Sequence, residues 1–72
     1  MTPWQARCAQ EAQAETAQAE ALIAKAEALT RQAHDLPFGQ EREAFIYRAG
    51  LHQADADHHY EEARVWREGA KR

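Results

Sequence analysis

Alanine recurs every seven residues in two separate stretches of this chain, at Ala12, Ala19, Ala26 and Ala33 and again at Ala49, Ala56, Ala63 and Ala70. A seven-residue spacing keeps one stripe of an α-helix facing a neighbouring helix along its whole length. With a methyl group as the only side chain in that stripe, two helix backbones can lie close together. The second ladder carries more weight than the first. The first half of the chain is rich in alanine throughout, whereas the segment after residue 40 has only six alanines and sets four of them on one line.

The breakers say how the two ladders are joined. Thr2-Pro3-Trp4-Gln5 reads as a helix start, with Thr2 as the cap, Pro3 at the first helical position and Gln5 placed to reach back. No breaker follows until Pro37, so helix 1 is expected from about Pro3 to His34, about 48 Å at 1.5 Å per residue. Asp35-Leu36-Pro37-Phe38-Gly39 is the one turn signal, and helix 2 runs from about Gln40 to Ala70. Glu41 and Glu43 at its start and Arg64, Arg67, Lys71 and Arg72 towards its end suit the helix dipole. Gly50, in mid-helix, costs about 1 kcal/mol relative to alanine.

So short a turn makes the helices antiparallel, a single helical-hairpin domain. Numbers across the hairpin then sum to about 74 or 75 (Ala26 with Ala49, Ala19 with Ala56, Ala12 with Ala63). Between these layers fall Leu29 with Phe45, Leu22 with His52, Glu15 with His59 and Cys8 with Trp66; Leu36 and Phe38 take the last places in the same seam. Small layers alternate with large ones. The adjoining register adds Ala9, Thr16, Ile23 and Thr30 on helix 1 and Ile46 and Tyr60 on helix 2, widening the apolar stripe from a two-stranded seam to a bundle face. The opposite flank is polar, with Glu11, Gln18, Lys25, Gln32, Arg48, Asp55 and Glu62.

Composition makes a partner necessary. Of 72 residues, 17 are alanine, and Leu, Ile, Val and Phe together number nine. Chains below about 70–80 residues seldom hold together without a staple. The lone Cys8 cannot close an internal disulfide. The expectation is therefore an alanine-rich antiparallel coiled-coil hairpin that dimerises into a four-helix bundle, with Ala12, Ala19, Leu22, Ile23, Ala26, Leu29, Phe45, Ile46, Ala49, His52, Ala56, His59, Tyr60, Ala63 and Trp66 as core and self-association residues. One cysteine and no leader-like segment predict a reducing, cytoplasmic setting. No apolar run approaches a membrane span. A net charge of −3 weighs against nucleic acid as the partner.

A bundle of two hairpins resembles, in architecture, the Rop family of plasmid copy-number regulators, and Leu51-His52-Gln53-Ala54-Asp55-Ala56-Asp57 is similar to their second helix. The resemblance implies paired hairpins. Rop-like proteins bind RNA loops through a basic and polar outer face on helix 1, and that helix here sets Glu11, Glu15, Glu20 and Glu27 against Arg7, Lys25 and Arg31. A nucleic-acid regulator would instead need a basic face assembled across the dimer from Arg42, Arg48, Arg64 and Arg67.

Catalytic signatures are missing. The chain has no serine for a triad and no glycine-rich phosphate loop, and no enzyme activity or cofactor is expected. Asp55, His58, His59 and Glu62 have helical spacing that can hold a divalent ion, which gives a metal-binding bundle as a third reading. His52 and His59 fall in the seam, with Glu15 the natural partner of His59, or as the basis of a pH-sensitive assembly. Tyr47, Leu51, Ala54, His58 and Val65 form an outward strip on helix 2, rimmed by Arg48, Asp57, Glu61 and Arg64. Apolar and aromatic side chains in such a strip fit a protein-binding surface, with Tyr47, Leu51, His58 and Val65 as its contact residues. The expected function is thus a small adaptor or regulator that binds itself and a protein partner.

Overall fold

The computed structural model describes all residues, Met1–Arg72. Two α-helices, α1 (Pro3–His34) and α2 (Gln40–Gly69), pack against each other as a hairpin, and the chain has no β-strand. The molecule is a rod, 55 × 13 × 9 Å in its principal extents. Its radius of gyration is 16.4 Å, where a compact domain of this length would have about 11 Å.

Each helix end has a local cause. Thr2 caps α1: its Oγ1 accepts a hydrogen bond from the Gln5 amide at 3.1 Å, and the Gln5 side chain accepts one from the Thr2 amide at 3.0 Å. This reciprocal pair satisfies two donors that a helix start otherwise leaves open. Asp35 closes α1, its amide donating back to the last turn. Gly39 precedes α2 with φ of 150°, a region open to glycine and strained for residues with a Cβ. It offers no side-chain cap, so Glu41 and Glu43 in the first turn meet the positive end of the α2 dipole.

Two cross-helix hydrogen bonds match the register, Trp4 to Gly69 and His59 to Glu15, and the long side chain of Arg67 reaches across to Thr16. In this register the buried residues are Cys8, Ala12, Ala19, Ala26 and Ala33 on α1 and Ala49, Ala56 and Ala63 on α2. Ala19, Ala33, Ala56 and Ala63 are fully covered. The seam between the helices is therefore a wall of methyl groups.

The larger seam residues Leu22, Leu29, Leu36, Phe45, His52, His59 and Trp66 are half-buried, with one side open to solvent. Methyl layers bring the backbones together, and there is too little depth between two helices to enclose a Leu or Phe. The seam ends before Phe38, which the heptad pattern includes but which stands 91% exposed. Residue 38 lies in the turn, so no helical register carries it inward; its ring stacks instead on the Arg42 guanidinium, 4.3 Å from the ring centre. Ile46 and Tyr60 likewise lie outside the core of a single hairpin, 49% and 38% exposed. Ile23, on the same side of the rod, is half-buried.

Candidate interaction surfaces

The two long sides of the rod differ in chemistry. One side carries Ala9, Thr16, Ile23 and Thr30 from α1 beside Ile46, Gln53, Tyr60 and Arg67 from α2. Thr16 and Thr30 turn their hydroxyls back onto their own helix, donating to the carbonyls of Ala12 and Ala26 at 2.8 and 2.9 Å. Arg67, the single charge in this set, donates to Thr16 Oγ1 at 3.1 Å. Towards the turn, a groove opens between the helices, lined by Ala26, Thr30, Ile46, Ala49, Gly50 and Gln53 with the charged Glu27 and Arg31 at its α1 edge. The other side carries Glu11, Lys25, Arg48, Asp55 and Glu62 and is charged along its length.

The outward strip on α2 is solvent-facing: Tyr47 is 68% exposed, and Leu51, Ala54, His58 and Val65 are exposed with it. Its charged rim is partly self-paired. Arg64 donates to both carboxylate oxygens of Glu61, through Nε at 3.2 Å and through a terminal nitrogen. This hydrogen bond and the charge behind it hold the Glu61 carboxyl below its ordinary range and raise the Arg64 guanidinium above its own. A carboxyl held low favours the folded chain above its unfolded titration range, and that support fades as pH falls through the folded value. Both groups are fully in solvent, so the pair orients the rim and adds little to stability.

The histidines do not form one cluster. Nδ1 of His59 pairs with Oε2 of Glu15 across the seam, both part-buried. The His58 ring lies edge-on to that of His59 with centroids 5.7 Å apart, and His58 and Asp55 are exposed. No three His, Cys, Asp or Glu side chains converge as a metal-binding group. Of the metal candidates Asp55, His58, His59 and Glu62, His59 is thus turned to a carboxylate on the other helix.

Within one hairpin, the four arginines that a nucleic-acid face across a dimer would draw on have separate neighbours. Arg42 stacks on Phe38, Arg48 lies 5.9 Å from the Phe45 ring, Arg64 is paired with Glu61 and Arg67 is bound to Thr16. Each guanidinium is engaged on a different part of the surface.

The open end of the hairpin holds an arrangement that the sequence pattern did not single out. Trp4 Nε1 donates to the Gly69 carbonyl at 2.9 Å, and the Trp4 and Trp66 rings meet at a tilt with centroids 6.2 Å apart. Cys8 is buried beneath them, and Arg7 lies over the Trp66 ring at 5.8 Å. The two chain ends are latched to each other, opposite the turn. Positions 4 and 69 sum to within two of the seam's register, which is the signal that would have paired them.

No family, curated protein or solved structure matches this chain. No helix is long and apolar enough to cross a membrane.

Proposed function

We propose that this is a non-enzymatic, cytoplasmic helical-hairpin interaction protein, an adaptor or regulator that pairs with itself as a four-helix bundle and engages a protein partner through the outer strip of α2. One observation carries the reading. The fully covered positions hold alanine and a single cysteine, while Ile46, Tyr47, Leu51, Tyr60 and Val65 remain in solvent. Apolar side chains on two separate faces of so thin a rod have nothing within the hairpin to cover them, and apolar surface of that kind drives association.

The outer strip suits a partner with an apolar helix or groove edged by mixed charge, because Arg48, Asp57, Glu61 and Arg64 rim it with both signs along its length. Affinity capture from native-host lysate tests this. The wild-type protein retains a protein partner that Leu51→Asp loses, with helicity and oligomer mass the same in both. Equal capture by the two proteins overturns the partner-binding assignment.

A further inference from the structure

We propose that the weakly charged side of the rod is the face on which a second copy of this chain sits, with a helix of that copy lying against the α2 backbone at Gly50. The inference rests on the self-association reading above and adds the face and its point of closest approach.

Gly50 is the first observation. It occupies the interior of α2, where glycine is a poor choice, and its φ is not positive. A Cβ at this position would meet nothing within 4 Å in the hairpin. The hairpin therefore gives no reason for a glycine there. By contrast, a Cβ at Gly69 would touch Trp4 and Cys8 at 3.7 and 3.8 Å. The absent side chain at Gly50 leaves a shallow seat in the groove between Ile46 and Gln53, open to whatever approaches from outside. Glycine in a helix surface is what permits another backbone to come close.

The chemistry of the surrounding face is the second. Burying a polar group is costly unless its hydrogen bonds are made, and burying a lone charge is costlier. The two threonines here have already donated their hydroxyl protons to their own helix, and Arg67 is bonded to Thr16. Ile23, Ile46 and Tyr60 supply the apolar area. The groove at Gly50 also carries Glu27 and Arg31, one charge of each sign, so a two-fold copy of the same face can set each against its opposite, as a self-complementary interface requires. The opposite side would bring Glu11, Lys25, Arg48, Asp55 and Glu62 out of water.

Area is the third. The hairpin exposes 5397 Å², where a compact monomer of 8.2 kDa would expose about 4,500 Å², an excess of about 900 Å². Stable interfaces of standard size cover about 800 Å² on each partner. Docking one copy on one long side brings the molecule back to the surface expected for its mass.

Sedimentation equilibrium on the full chain tests the proposal, with circular dichroism to confirm that each variant stays helical. The wild type should sediment at twice 8.2 kDa. Ile46→Glu should run as the single chain. Gly50→Ala should weaken the dimer at least tenfold, although alanine is the better helix former and would stabilise an isolated hairpin. Leu51→Asp, on the outer strip, should leave the mass doubled. A wild-type mass of one chain overturns this proposal together with self-association. A dimer that survives both Ile46→Glu and Gly50→Ala, whatever Leu51→Asp does, overturns the choice of face alone and leaves self-association standing.

Discussion

Enlarging one alanine of the ladder gives opposite signs in a flush seam and in a loose one. Ala56 is fully covered, level with the equally covered Ala19. Ala56→Leu adds three carbons. In a seam with room to spare they would be worth about 2.4 kcal/mol of extra burial. Between backbones already held together by methyl groups they force the helices apart, a cost of about 1–3 kcal/mol net. Urea unfolding followed by circular dichroism measures the difference, at one fixed protein concentration because a self-associating chain has a concentration-dependent midpoint. Ala17, exposed on the outer surface of α1, is the control, and Ala17→Leu should change stability by no more than about 0.5 kcal/mol. The reverse change sharpens the comparison. Ala19→Gly should cost about 1.8 kcal/mol, the buried methyl added to the propensity loss, and Ala17→Gly only about 1 kcal/mol. A stabilising Ala56→Leu would refute close packing of the ladder.

Two further perturbations probe the ends of the rod. Gly39→Ala should destabilise by about 1–3 kcal/mol, because φ at this position is 150°, and the loss should show in the same urea titration; a neutral substitution would mean that the turn has another conformation. Trp4→Ala should cost about 1.5–2.5 kcal/mol, from the hydrogen bond to Gly69 and the ring contact with Trp66, and should speed amide exchange at the last turn of α2. Trp4→Phe should recover the ring contact and lose only about 1 kcal/mol. Unchanged exchange in Trp4→Ala would show that the two ends are not latched.

The fold was legible because its three decisive signals are local in sequence. A capping box at Thr2 and Gln5, a single turn cluster around Pro37 and alanines at a fixed interval each specify geometry without knowledge of the rest of the chain. The pairing of Glu15 with His59 followed from the register alone. Phe38 was misplaced because the heptad count runs on through the turn, whereas helical geometry does not begin until Gln40. The Trp4–Gly69 bond escaped notice because its acceptor is a backbone carbonyl, which leaves no mark on the side-chain pattern. Ile46 and Tyr60 show a different boundary. Their positions were clear from the register, but whether they count as core depends on what lies against a single hairpin, and periodicity within one chain carries no such information. The outer strip of α2 is visible in the sequence as spacing, while the identity of its partner depends on another molecule's surface.

Everything depends on whether the alanine methyls of α1 and α2 touch within one chain. Nuclear Overhauser contacts between alanine methyl groups measure this directly, in a sample where labelled chains are diluted into unlabelled ones so that contacts between copies vanish. Cross-peaks should join Ala26 to Ala49, Ala19 to Ala56 and Ala12 to Ala63, and all should survive dilution. Methyls that instead exchange magnetisation with water, or cross-peaks that disappear on dilution, would contradict it.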